Sequence, residues 1–207
     1  MNTYDLTHLV GPANQYVLGP IQDDEALFLY SIVKGMRIKR ILEIGGLNGY
    51  SARNFIKAME SDGVLYTVDI NPVTTVSSNH KFIHKDAKDI TSDDIDNQPL
   101  ELIFFDCHEY DVQMNLYNKL LESNLINDNT LIALHDTNTH PTQIVSWSYQ
   151  IGSSEWVHQQ VERRMVNSFH DMGYNIFSLH PTSSKHNQLF PFRHGITICQ
   201  KFKKLII

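Results

Sequence analysis

Acids and imidazoles gather in two short stretches of this sequence, Asp106-Cys107-His108-Glu109-Tyr110 and His135-Asp136-Thr137-Asn138-Thr139-His140. Carboxylate and imidazole groups held together can bind a divalent ion, take a proton from a hydroxyl, or do both. Each stretch follows a short apolar run, Leu102–Phe105 and Leu131–Leu134, of the kind expected of strands buried on both faces. If those strands are neighbours, Asp106, His108, His135, Asp136 and His140 share one mouth, although only the fold makes them so. The chain has 11 histidines, and most are expected to be structural or solvent-facing. His108 and His135 stand apart because each sits beside an acid at an expected strand end, whereas His80 and His84 flank a weak strand. His140 precedes Pro141 and serves a loop equally well.

Something must position that mouth, and the segment from Arg40 to Met59 is the clearest positioning element. Ile41, Leu42 and Ile44 form a short apolar strand, Ser51 to Met59 has the spacing of an amphipathic helix, and Gly45-Gly46-Leu47-Asn48-Gly49 lies between them. Glycines in such a turn permit positive φ and close approach of a ligand to the backbone. The helix that follows offers unpaired N–H groups and the positive end of its dipole. A dinucleotide site needs G-x-G-x-x-G, and here the third position is Leu47 and the sixth is Tyr50. Glu43, two residues before the first glycine, disfavours a pyrophosphate and suits a cationic or hydroxyl-bearing ligand. A second strand-like run, Val64 to Val68, ends in Asp69, twenty residues beyond Gly49. An acid there is placed to accept hydrogen bonds from ribose hydroxyls, or to form a turn before Asn71-Pro72.

The pattern E-x-G-x-x-x-G from Glu43 to Gly49, read with Asp69, resembles the first motif of class I S-adenosylmethionine-dependent methyltransferases. The family usually has a further glycine where Leu47 stands. From about Gly19 to Lys201 the chain is similar to small-molecule O-methyltransferases of the group that includes macrolide-sugar and cephalosporin-pathway enzymes. That resemblance implies S-adenosyl-L-methionine as cofactor, with Glu43 and Asp69 at its amino-acid and ribose ends and Asp86-Ala87 bordering the adenine. Gly45, Gly46, Asn48, Gly49, Ile70 and Asp106 complete the implied cofactor set. It also implies magnesium or another divalent metal, with Asp106 as the strand-four acid, Asp136 in the strand-five pair, and His135 where the pair usually has a second acid. Imidazole is a softer ligand than carboxylate and holds a hard magnesium ion less well. For catalysis the expectation is His108 as base, with Asp106 and His135 in the same group.

The rest of the pattern fits an α/β, Rossmann-like doubly wound sheet, mostly parallel, with helices on both faces. Asp24 to Met36 reads as a helix, Lys81 to His84 as a weak strand and Asp111 to Leu125 as a helix. Residues 144–172 read as mainly helical, interrupted near Gly152-Ser153-Ser154. Asn175 to Leu179 and Ile196 to Gln200 read as late strands, joined by a polar connection from Pro181 to Pro191. The resemblance makes those two strands the C-terminal antiparallel hairpin of the sheet. One domain over 1–207 is expected, with residues 1–38 as an N-terminal helical extension and 141–173 as a lid or acceptor wall. Trp147, Tyr149 and Trp156 supply that wall with aromatic surface, or else pack on the sheet or form a homo-oligomer contact.

Composition narrows the partners. Hydrophobic content of 42% and charged content of 19% describe a globular chain, and 207 residues suffice for one α/β core. A net charge of −6 supplies no basic excess for nucleic acid, and no apolar run approaches membrane-spanning length. Cys107 and Cys199 form no C-x-x-C pair, so a reducing, cytoplasmic setting is expected, and the acceptor that the resemblance implies is a small molecule. Two rival readings are a nicotinamide-dependent oxidoreductase, disfavoured by the glycine pattern, and a catalytically idle cofactor-binding protein of the same fold.

Overall fold

The computed structural model describes residues 21, 23–137, 147–151, 155–159, 162–179 and 195–201. Helix α1 (Asp23–Met36) leads into β1 (Arg40–Ile44), α2 (Tyr50–Ala58), β2 (Val64–Asp69) and β3 (His80–His84). Two single 3₁₀ turns follow, at Ala87–Asp89 and Ser92–Ile95. The chain continues through β4 (Leu102–Phe105), α3 (Tyr110–Glu122), β5 (Leu131–Leu134), β6 (Trp147–Ile151), β7 (Glu155–Gln159), α4 (Arg163–Asp171), β8 (Tyr174–Leu179) and β9 (Ile196–Lys201).

Among the described residues, seven strands form one sheet in the order β3-β2-β1-β4-β5-β9-β8, with β9 antiparallel to both of its neighbours. From β1 the chain first builds outward to β3 and then returns to add β4 and β5 on the other side. The gap above β1 and β4 is therefore the switch point at which open α/β sheets bind ligands. The ladder fixes the register there: Ile44 is level with Val68 on β2 and with Phe105 on β4, and Phe105 with Leu134 on β5. It runs past the strand ends, because Gly45 N donates to Val68 O (2.9 Å), Asp106 N to Ile44 O (2.8 Å) and His135 N to Phe105 O (3.1 Å). Gly45, Asp106 and His135 consequently stand in a row along one sheet edge.

The central strands are continuous apolar runs because both of their faces are covered. On one face Ile41, Leu65, Leu102, Phe104 and Ile198 pack against Ala26, Leu29 and Val33 of α1 and Phe55 of α2. On the other, Leu42, Ile44, Tyr66, Ile103, Phe105 and Ile132 pack against Leu116, Tyr117 and Leu120 of α3 and Met165, Val166 and Phe169 of α4. Helix α1 is thus part of the core rather than an appended extension. Residues 1–20 of that expected extension, together with His140 and the polar stretch from Pro181 to Pro191, lie outside the described residues.

One expectation is overturned. Residues 147–151 and 155–159 pair as an antiparallel ribbon, Trp147 with Gln159 through Ile151 with Glu155, where a helix is expected. Aromatic and β-branched residues in this stretch favour strands, and Gly152-Ser153-Ser154 is turn chemistry rather than a helix interruption. Among the described residues of that region, 163–171 are helical.

Candidate active site

The turn after β1 is shaped by close approach. Gly45 has φ 93°, and a Cβ there would overlap the backbone carbonyl of Asp106. Gly46 is crowded in the same way by Thr67 and Val73. Asp69 at the end of β2 ties the turn down: its Oδ2 accepts from Gly46 N (2.8 Å) and Leu47 N (3.1 Å), and its Oδ1 from Asn71 N (2.8 Å). A carboxylate has about four lone-pair sites, so Asp69 keeps acceptor capacity for a ligand hydroxyl. Leu47 adopts φ 39°, the left-handed region in which the resembled family has glycine.

A cavity of about 320 Å³ opens beside this turn. Its walls come from Ile44, Gly45 and Leu47 after β1, Asp69 and Ile70 after β2, Asp86 and Ala87 after β3, and Asp106, Cys107 and His108 after β4. Asp86 caps the short turn after β3 by accepting from Lys88 N (3.1 Å). Four strand ends thus meet at one concave surface, the arrangement expected of a small-ligand site.

Glu43, Gly46, Asn48 and Gly49 are placed off the cavity wall. Glu43 is fully buried beneath the turn, where Ser51 Oγ donates to Oε1 and Thr67 Oγ1 donates to Oε2 at 2.5 Å. His80 continues this network: its Nδ1 accepts from Val76 N (3.1 Å), so its Nε2 is the protonated nitrogen that donates to Thr67 Oγ1 (2.8 Å). Burial pushes the Glu43 carboxyl up to about 7, against the pull of the two hydroxyls. This acid welds β1, β2 and α2 together. Asn48 is exposed, and Gly49 at φ 68° forms the N-cap of α2.

At the next strand ends the two histidines separate. The His135 ring is fully buried, with Nδ1 3.0 Å from Asp106 Oδ1 and Nε2 3.2 Å from Glu25 Oε2 on α1. Burial alone would lower its pKa, but Asp136, Asp106 and Glu25 around it raise it well above the ordinary imidazole value. Glu25 also accepts from Gly195 N at the start of β9. Both ring nitrogens thus face carboxylates, and the ring lies off the cavity wall. His135 was expected in the metal and catalytic groups, and the three residues whose ligand atoms converge are Asp106, His108 and Asp136.

His108 takes the open position. It lines the cavity with a side chain 22% exposed, and its Nε2 lies 3.6 Å from both Asp106 Oδ1 and Asp136 Oδ2. Asp106, His108 and Asp136 each offer one ligand atom, all within 4.8 Å of one another. Two carboxylates and one imidazole fit a divalent ion and suit a borderline ion such as Mn²⁺ better than Mg²⁺. Burial lowers the pKa of His108, but Glu162, Asp106 and Asp136 reverse this and raise it. Cys107 is pushed up to about 12 by burial and by Glu162, so its thiol stays protonated and takes no nucleophilic part. Glu25 and Glu162 carry no sequence signal, because their partners lie 110 and 54 residues away.

Residues 42–137, from β1 to just past Asp136, match a family model described as a methyltransferase domain. The whole fold is similar to that of solved methyltransferases. PaMTH1 of Podospora anserina, a methyltransferase solved with SAH, aligns at 15% identity over 96% of this chain and 88% of its own, with a TM-score of 0.61. Cofactor-bound Rv0187 of MTB aligns at 14% identity over 96% and 88%, with a TM-score of 0.67. An O-methyltransferase of Bacillus cereus in complex with SAH aligns at 18% identity over 95% and 90%, with a TM-score of 0.60. No curated protein matches the sequence. Residues 42–137 thus match the methyltransferase-domain model, and the strand order with its switch-point cavity is the fold that these solved proteins share.

Proposed function

We propose that the protein transfers the methyl group of S-adenosylmethionine to a hydroxyl oxygen of a small-molecule acceptor. One observation carries the reading: a single cavity joins the Gly45–Leu47 turn, Asp69 and Asp86-Ala87 to the acid and imidazole of Asp106 and His108. The first group offers what a nucleoside and amino-acid cofactor needs, and the second what a hydroxyl acceptor needs. Two of the solved proteins of this fold are described as bound to SAH, which supports the same cofactor here.

In this reading Asp69 accepts from the ribose hydroxyls, Ala87 and Ile70 flank the base, and the backbone of Gly45 borders the amino-acid end. The sulfonium supplies the electrophile when the cofactor is bound, so the protein's part is alignment and removal of one proton. An alcohol is too weakly acidic to ionise at neutral pH. A divalent ion held by Asp106, His108 and Asp136 would lower the acceptor's pKa. Without an ion, His108 Nε2 is the base that faces the cavity. Binding of SAM in the absence of any metal effect would favour that second role. The acidic net charge, the absence among the described residues of a helix long and apolar enough to cross a membrane, and the two free cysteines fit work on a small acceptor in the cytoplasm.

Isothermal titration with S-adenosylmethionine, with and without Mn²⁺ or Mg²⁺, tests cofactor and metal together. Asp69→Ala is expected to abolish measurable cofactor binding; unchanged affinity would remove Asp69 from the site. Stabilisation by NAD and none by S-adenosylmethionine would overturn the reading in favour of an oxidoreductase.

A further inference from the structure

Three residues around the Asp106–Asp136 gap hold left-handed backbone without being glycine: His108 at φ 60°, Asp136 at φ 52° and Glu162 at φ 44°. Such conformations persist where surrounding contacts over-determine them, and they cluster at working sites. Glu162 is the unassigned member. It stands at the head of α4, 4% exposed, within the stretch 141–173 expected to form a lid or acceptor wall.

One oxygen of Glu162 accepts three donors. Its Oε1 lies 3.0 Å from His108 N, 3.3 Å from His108 Nδ1 and 2.7 Å from Gln113 Nε2. Gln113 is fully buried on α3 and braces the carboxylate from behind. A carboxylate can only accept, so His108 Nδ1 must carry a proton to satisfy it. In the neutral ring the lone pair is then on Nε2, the nitrogen facing Asp106 and Asp136. We propose that Glu162, braced by Gln113, is a positioning residue that fixes the tautomer and ring orientation of His108 so that Nε2 faces the Asp106–Asp136 gap. The same Nε2 lone pair serves as metal ligand or as base. Carboxylates behind ligating histidines have this effect on metal affinity elsewhere, where their loss costs about 10–100-fold.

The inference rests on the proposed role of His108, and two readouts separate its failure from the failure of that role. ¹⁵N–¹H correlation spectra of the metal-free protein, recorded at a pH above the His108 titration, show which ring nitrogen carries the proton. Wild type is expected to show Nδ1–H. Glu162→Met, which fills the space but offers Nδ1–H no oxygen acceptor, is expected to shift the ring to Nε2–H. An unchanged tautomer would overturn the proposal. Titration with Mn²⁺, followed by loss of the free-ion EPR signal, is expected to show affinity about 10–100-fold weaker in Glu162→Met, with S-adenosylmethionine affinity unchanged. Gln113→Met, which removes the brace and leaves the carboxylate, is expected to give a smaller loss in the same direction. Wild type that shows the Nδ1–H tautomer but takes up no Mn²⁺ would remove the metal from the proposed function and leave Glu162 positioning a base. Equal Mn²⁺ affinity in wild type and Glu162→Met would overturn the positioning role at the metal.

Discussion

Glu43 stands in the region expected of it, beneath the turn rather than on the cavity wall. Its place before the glycines draws attention to a cofactor, yet its carboxylate is enclosed by Ser51 and Thr67 beneath the turn. The consequence is a pH dependence with a definite sign. Its folded-state pKa is raised from 4.5 to about 7, so between those values the native state holds a proton that the unfolded chain has released. Stability from this group is therefore lost as pH rises through the window, and the loss levels off above pH 7. A shift of this size amounts to about 3 kcal/mol at most. Glu43→Gln removes the titration, so urea unfolding at pH 5 and pH 8 is expected to show wild type losing roughly 2–3 kcal/mol more than the variant across that interval. Equal losses would mean that Glu43 is ionised in the fold throughout. The histidines teach a related lesson. Sequence adjacency to Asp136 suggests His135 as a ligand, whereas its ring lies between Asp106 and Glu25 of α1. The placement of Asp69 and Asp106 on the cavity wall is legible, because a strand end fixes where the next residue goes. Leu47 fits the motif least well, yet its backbone takes the glycine conformation at a cost of about 1–2 kcal/mol.

At the scale of elements, what was legible follows from burial. Strands β1, β2, β4 and β5 are apolar runs covered on both faces, and such runs announce themselves without a partner in view. The ribbon of β6 and β7 does not. Its residues alternate weakly, and a segment paired only with its own neighbour lacks the continuous core that gives strands a signature. The junction of β1 and β4 is the element contact on which the site depends. Asp106 N bonds to Ile44 O, and Gly45 passes against the Asp106 carbonyl with no room for a methyl group. Gly45→Ala combines that overlap with a φ of 93° that alanine resists, so a loss of about 3 kcal/mol or more is expected. For a chain of this size that corresponds to a drop of roughly 6–12 °C in the thermal midpoint. A variant with an unchanged midpoint would show that β1 and β4 can part at this edge without cost.

At the scale of the molecule, the cavity divides its walls between the two halves of the sheet. Gly45, Asp69 and Asp86 follow strands of the half that runs outward from β1 to β3, whereas Asp106 and His108 follow β4 in the half that returns. A ligand there bridges the switch point and must be released before the halves can separate. Binding to the native state alone stabilises it by about 2.7 kcal/mol at a ligand concentration of 100 Kd. S-adenosylmethionine at that level is therefore expected to raise the thermal midpoint by roughly 5–10 °C. The same concentration should leave Asp69→Ala within about a degree of its own ligand-free midpoint, because the variant lacks the acid proposed to hold the ribose. Mn²⁺ added alone tests the other wall: it is expected to stabilise wild type through Asp106, His108 and Asp136, which lie on the ends of β4 and β5. If the cofactor and the ion share one cavity without competing, their stabilisations add when both are present. A combined shift no larger than the greater of the two alone would mean that they compete, as expected if they claim the same oxygen of Asp106.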